Sequence, residues 1–176
     1  MRGRQRPRAL LCDCDGTLIR DVPYNGDATR VEALPGVGEA LARARGRGLK
    51  VGIVSNQRGL ALGAFSAEQL AHVQRRVAEL LGPFDLVLHC PHDADEGCSC
   101  RKPQPGMILE AARRLGVGPQ ECAVIGDTAG DVDAAAAAGA RAVLVPNAAT
   151  DPREVREAAE VRATFGAAVD AVLEWT

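Results

Sequence analysis

The strongest constraint on the fold is an alternation: short apolar runs are separated by longer stretches with helical spacing along the whole chain. Residues 8–12, 49–55, 84–89, 122–127 and 141–146 read as strands. The spacing predicts helices over 35–48, 66–81, 106–115 and 132–138, with one or two more over 152–160 and 164–174. Ser66 and Gln69 form a capping-box pattern, Phe65 and Leu70 sit at staple spacing, and Gly82-Pro83 ends that helix. No internal repeat and no low-complexity linker interrupts the order. Strands that alternate with helices form a parallel sheet covered on both faces. In such sheets, ligands bind beyond the carboxyl ends of the strands.

The fold class is therefore α/β, a Rossmann-like parallel sheet, with residues 1–176 as a single domain. Its strand ends carry unusual residues. The first strand runs into Asp13-Cys14-Asp15-Gly16-Thr17, the second ends on Ser55, and the fourth ends on Asp127. If these strands are neighbours, three carboxylates and a hydroxyl share one crevice. Adjacent carboxylates repel one another and are costly to bury without a cation. A Mg²⁺ ion takes one or two carboxylates and leaves positions for phosphate oxygens, so a site for Mg²⁺ and a phosphate is expected. A calcium loop starting at Asp13 is excluded. Such a loop needs Gly at its sixth position and Glu at its twelfth, where this chain has Leu18 and Tyr24.

The chain has 6 cysteines, and three lie in "CPHDADEGCSC", residues 90–100. Cys90, His92, Cys98 and Cys100 make a Cys₃His set on one loop, a common tetrahedral zinc arrangement with no vacancy for water. A structural Zn²⁺ is expected there. The loop leads directly into Arg101-Lys102, so the metal would fix two cations beside the strand-end carboxylates. His89 is a substitute ligand by position, but strand alternation makes it a core or edge residue. His72 is expected on the surface, and Cys12, Cys14 and Cys122 as small core residues.

Composition excludes other classes. The formal net charge is −2 and aromatic content is 3%, which leaves neither a basic field nor stacking rings for nucleic acid. No stretch approaches the roughly 20 apolar residues of a membrane span, and the apolar run before Asp13 is too short for a signal peptide. A cytoplasmic protein with no membrane partner is expected. The apolar tail, 165–175, is expected to pack on its own domain, leaving a monomer.

Four segments carry a family resemblance: "DCDGTL" (13–18), "IVSN" (53–56), "CRKP" (100–103) and "IGDTAGD" (125–131). In this order they resemble the motifs of the haloacid dehalogenase-like phosphatases. The resemblance implies that Asp13 is the nucleophile and Asp15 the general acid and base. Ser55 and Lys102 would hold the phosphoryl oxygens. Mg²⁺ would sit on Asp13, the Asp15 carbonyl and Asp127, with Asp131 in support. Asp133 fits the pattern less well and reads as a solvated helix residue. Most relatives insert a cap domain after the first or second motif. Neither interval here has room for one, so the fold is expected to be capless and its site open.

"DGTLIRDVPY", "SNQRGLALG" and "CRKPQPGM" narrow the resemblance to the D-glycero-D-manno-heptose 1,7-bisphosphate phosphatases. The resemblance implies substrate contacts from Asp21, Tyr24, Asn56, Gln57, Arg58 and Arg101, a small phosphorylated sugar as substrate, and loss of its 7-phosphate. Arg58, Leu62 and Thr128 depart from that group, which often has Ser, Arg and Lys there. Histidinol-phosphate phosphatases share the C-x-H…C-x-C loop and are the alternative, as is another sugar-phosphate phosphatase. A zinc-stabilised interaction module without catalysis is the non-enzyme reading.

Overall fold

The computed structural model describes residues 5–176. Five strands form one wholly parallel sheet: β1 (Ala9–Cys12), β2 (Lys50–Asn56), β3 (Leu86–Cys90), β4 (Cys122–Gly126) and β5 (Arg141–Leu144). Their order is β3-β2-β1-β4-β5. From β1 the chain moves outward through β2 to the β3 edge, then crosses back to β4 on the far side of β1. Right-handed crossovers require the helices of these two excursions to lie on opposite faces. The packing agrees. Leu10 and Cys12 of β1 face α1 (Val37–Gly46), α2 (Ala67–Leu81) and α6 (Phe165–Glu174). Ala9 and Leu11 face α3 (Gly106–Leu115) and α4 (Ala129–Ala138). A short α5 (Pro152–Glu157) precedes the tail helix.

Strand alternation thus divides the core into two layers, and β1, buried at every residue, is apolar on both sides. The tail packs on its own sheet: Phe165, Val169 and Val172 of α6 are buried, each contributing roughly 1.5–3 kcal/mol. Trp175 then stacks beneath the Arg141 guanidinium, 3.7 Å from the ring centre.

Most boundaries fall within two residues of the sequence expectation. Ser66 caps α2 through a full capping box with Gln69, and Gly82 ends the helix. Helix α4 is the main correction. It begins at Ala129, three residues ahead of the expected 132. The Asp131 carboxylate accepts from both the main-chain N–H and the hydroxyl of Thr128, which starts the helix through the acidic motif itself. Strand β3 begins later than expected because Asp85 turns its carboxylate onto the Val51 amide, 2.7 Å away. No domain is inserted between β1 and β2 or between β2 and α3, so the carboxyl edge of the sheet stays open.

Candidate active site

The change of direction between β1 and β4 creates a crevice at their carboxyl ends. Asp13 leaves β1, Ser55 lies at the end of β2, and Asp127 leaves β4, on three adjacent strands. Asp131 enters from the first turn of α4. The carboxylates of Asp13, Asp127 and Asp131 have oxygens within 4.8 Å of one another. The Lys102 ammonium is buried among them. It donates to Asp13 Oδ1 at 2.7 Å, to Asp131 Oδ1 at 2.5 Å and to the Val54 carbonyl at 2.8 Å.

Backbone geometry makes this crowding possible. Gly16 has φ 84°, and a Cβ there would come within 2.6 Å of Asp127 Oδ2, so the turn after β1 accepts only glycine without strain. Asp127 is held by the Thr17 hydroxyl at 3.3 Å and the Asn147 amide at 2.8 Å. Gln57 donates from one amide nitrogen to Asp15 Oδ2 at 2.9 Å and to Ser55 Oγ at 2.8 Å, fixing both side chains. Asn56 clasps the Lys102 main chain: its amide donates to the Lys102 carbonyl and its oxygen accepts from the Lys102 amide, both at 3.1 Å.

The electrostatics follow from burial. Burial raises the Asp13 carboxyl; Lys102 opposes that rise, and Asp131 and Asp127 add to it. Burial also raises Asp127, reinforced by Asp131. Burial raises Asp15 against the Gln57 hydrogen bond, and the charge of Asp21 adds to it. Burial alone would pull the Lys102 ammonium down, but Asp13 and Asp131 hold it above the usual lysine range. Three buried carboxylates thus face one ammonium, an imbalance that fits a divalent oxygen-seeking cation. The Asp15 side chain stands outside this trio.

A cleft of about 260 Å³ runs outward from Asp15 and Ser55 past Gln57 to Asp21, Tyr24 and Arg58. Its inner wall is apolar, from Phe65, Leu70 and Val73. Tyr24, at the lip, is half exposed and has φ 51°, uncommon for an aromatic residue. Arg101 does not line this cleft; its guanidinium donates to the His92 carbonyl at 3.3 Å.

The second cluster lies just after β3. Cys90, His92, Cys98 and Cys100 bring one donor atom each within 4.8 Å of the others. The sulfur–sulfur separations are 3.2–3.6 Å, and His92 Nδ1 is 3.4 and 3.2 Å from the Cys90 and Cys100 sulfurs. A tetrahedron with Zn–S distances of about 2.3 Å has edges near 3.8 Å, so small adjustments would seat zinc. The donor set of three thiols and an imidazole also suits that ion. Burial and the Cys100 hydrogen bond push the Cys90 thiol up to about 12. Burial pushes Cys98 up as well, but the main-chain amides of Arg101 and Cys100 outweigh it and bring the thiol down to about 7. The remaining histidines take no part: His72 is exposed, and His89 sits on the edge strand β3 with its Nδ1 3.3 Å from Gln74. Cys12, Cys14 and Cys122 are buried.

The structure therefore unites Asp13, Lys102, Asp127 and Asp131 in one cluster, and joins Ser55 on the neighbouring strand to Asp15 through Gln57. It sets Asp21, Tyr24, Asn56, Gln57 and Arg58 along the cleft, with the Asn56 carboxamide bonded to the Lys102 main chain, and leaves Arg101 to the side. Sequence reasoning missed Thr17, Asn147 and Asp93, whose carboxylate pairs with the Arg58 guanidinium. Thr17 completes the Asp-Gly-Thr turn. Asn147 follows β5, the neighbour of β4, so its position beside Asp127 follows once the strand order is known. The family model of the haloacid dehalogenase-like hydrolases matches residues 22–139. The chain belongs to this family.

Among similar members of the family, the D-glycero-β-D-manno-heptose-1,7-bisphosphate 7-phosphatase of Pseudomonas putida is 37% identical over 143 residues, covering 78% of this chain and 82% of that protein. The protein of the same name from Bordetella bronchiseptica is 40% identical over 143 residues, covering 78% and 80%. A crystal structure of the D,D-heptose 1,7-bisphosphate phosphatase from B. bronchiseptica, complexed with magnesium and phosphate, superposes with a TM-score of 0.83 at 31% identity, covering 94% of this chain and 98% of that one. The five-stranded parallel sheet is thus that of a haloacid dehalogenase-like hydrolase. Among the described residues, no helix is long and apolar enough to cross a membrane.

Proposed function

We propose that this chain is a magnesium-dependent phosphatase that removes the 7-phosphate of D-glycero-D-manno-heptose 1,7-bisphosphate. The observation that carries the phosphatase reading is the buried cluster of Asp13, Asp127 and Asp131 around Lys102. The sugar is suggested by the relatives' names.

The chemistry assigned to each residue follows from its surroundings. Asp13 attacks phosphorus, the bond from phosphorus to the sugar oxygen breaks, and an aspartyl-phosphate forms. Asp15, whose carboxyl is raised by burial above the ordinary aspartate range, is the group that gives a proton to the departing oxygen. It then takes a proton from the water that cleaves the acyl phosphate, which restores Asp13 and releases phosphate. The Ser55 hydroxyl and the Lys102 ammonium hold phosphoryl oxygens as charge develops. Mg²⁺, held by Asp13, Asp127 and the Asp15 carbonyl with Asp131 behind, would neutralise the transferring group and orient it. Zn²⁺ on Cys90, His92, Cys98 and Cys100 would be structural, fixing the approach of the chain to Lys102.

The whole chain acts as one domain and as a monomer. None of the six cysteines is in a disulfide, which suits the cytoplasm. The test is phosphate release with Mg²⁺ from both anomers of the heptose bisphosphate, from histidinol phosphate and from a 3′-phosphorylated oligonucleotide, with Asp13→Asn as the blank. A preference for one heptose anomer is expected. A preference for histidinol phosphate would keep the mechanism and replace the substrate. No release above the blank would favour a non-catalytic zinc module.

A further inference from the structure

Among the described residues lining the cleft, Arg58 is the one cationic side chain. Lys102 lies in the carboxylate cluster, bonded to Asp13, Asp131 and the Val54 carbonyl, and does not line the cleft, and Arg101 is turned to the His92 carbonyl. A ligand anion at the outer end of the cleft therefore has Arg58 as its available positive partner. Leu62, later on the same loop, is exposed and uncharged.

The guanidinium is already aimed. Its Nε lies 2.6 Å from Asp93 Oδ1, and its Nη2 lies 3.4 Å from Asp93 Oδ2. The pair engages one edge of the planar fork, and Nη1 takes no part in it. Asp93 is fixed in turn: it caps the turn Ala94–Glu96, with its carboxylate accepting from the Ala94 amide and its own amide donating to Glu96. The backbone beneath Arg58 is also pinned. A Cβ on Gly59 would collide with the Phe65 ring, and one on Gly26 would come 2.6 Å from Phe65 Cβ, so Phe65 is packed tightly against both loops.

We propose that Arg58 binds the second, non-reacting phosphoryl group of a sugar bisphosphate, and that Asp93 is the positioning residue that aims it. This rests on the phosphatase reading above and deepens it. An exposed arginine loses side-chain entropy on binding phosphate, and the Asp93 pair reduces that loss in advance. The loop that carries the thiol–imidazole cluster thereby supplies an orienting group to the substrate cleft.

The test compares sugar bisphosphates with the matching monophosphates for wild type, Arg58→Gln, Arg58→Lys and Asp93→Asn. Two pairs are used, the heptose pair and fructose 1,6-bisphosphate with fructose 6-phosphate. Turnover is read on the metal-loaded enzyme. Equilibrium binding is read by calorimetry in an Asp13→Asn background, so the result does not depend on catalysis. Wild type is expected to favour the bisphosphate. Arg58→Gln is expected to cut that preference about tenfold to a hundredfold, the range of a lost charge-assisted hydrogen bond, through KM and binding affinity. Arg58→Lys should restore part of it, and Asp93→Asn should give a smaller loss in the same direction. A preference that is absent in wild type, or unchanged in Arg58→Gln, overturns the proposal. Arg58-dependent preference with fructose but no binding or turnover of the heptose pair would keep the role of Arg58 and reject the proposed sugar.

Discussion

Asn56 offers a sharp test because its residue type suggests substrate contact and its geometry indicates support. Its carboxamide makes two hydrogen bonds to the main chain of Lys102, across 46 positions of sequence. Asn56→Ala removes both and leaves the Lys102 amide and carbonyl unpaired in a part-buried place. At about 1 kcal/mol net for each bond, the fold should lose about 2 kcal/mol. For a chain of this size that corresponds to a drop in Tm of roughly 4–8 °C. The larger effect should fall on chemistry. The ammonium reaches Asp13, Asp131 and the Val54 carbonyl only if the lysine stem starts from the right position. A displacement of about 1 Å at such a group costs on the order of 100-fold. Steady-state kinetics should therefore show kcat down by about that factor, with KM within about threefold of wild type. A raised KM with unchanged kcat and unchanged Tm would refute the reasoning and make Asn56 a substrate contact.

Three further outcomes follow from the same geometry. The folded-state pKa of Asp127 lies above its unfolded value, so its charged form costs stability as pH rises through that range. Metal-free Asp127→Asn should melt above wild type at pH 7, with the gap closing in acid, and should lose the Mg²⁺-dependent rise in Tm, worth about 2.7 kcal/mol in wild type at a hundred times Kd. The proton of Asp15 is held to a higher pH than in an ordinary aspartate, so kcat should fall as pH rises through that shifted value. Asp15→Asn should remove this limb and slow turnover by about 10²–10⁴. Stripping zinc should lower both Tm and kcat while Mg²⁺ affinity holds. Because metal uptake must displace the proton of Cys90, zinc affinity should fall with pH. Full activity and stability in verified zinc-free protein would contradict the last of these.

Much of this molecule is legible in its sequence for identifiable reasons. β1 is buried on both sides and so reads as an unbroken apolar run. The α2 boundaries rest on local chemistry, a capping box and a terminal glycine, and local chemistry is visible without tertiary context. The Cys₃His loop is also local. α4 was harder, because its start depends on Asp131 serving at once as a helix cap and as a partner of Lys102. Pairwise roles were not legible at all. Gln57 joins Asp15 to Ser55, Asn147 reaches Asp127 across 20 positions, and Asp93 meets Arg58 across 35. Each contact depends on which strands are neighbours and on where loops return, and residue type records neither.

The central claim is that Asp13 bonds to phosphorus, and the most direct measurement is to catch that bond. Enzyme loaded with Mg²⁺ would be mixed with excess heptose bisphosphate, quenched in acid within one turnover, digested and weighed by mass spectrometry. The account predicts that the peptide carrying Asp13 gains the mass of one phosphoryl group, that the gain vanishes on longer incubation as substrate is exhausted, and that Asp13→Asn never shows it. Phosphate release at full rate with Asp13 unmodified, or with the phosphoryl group on another residue, would contradict it.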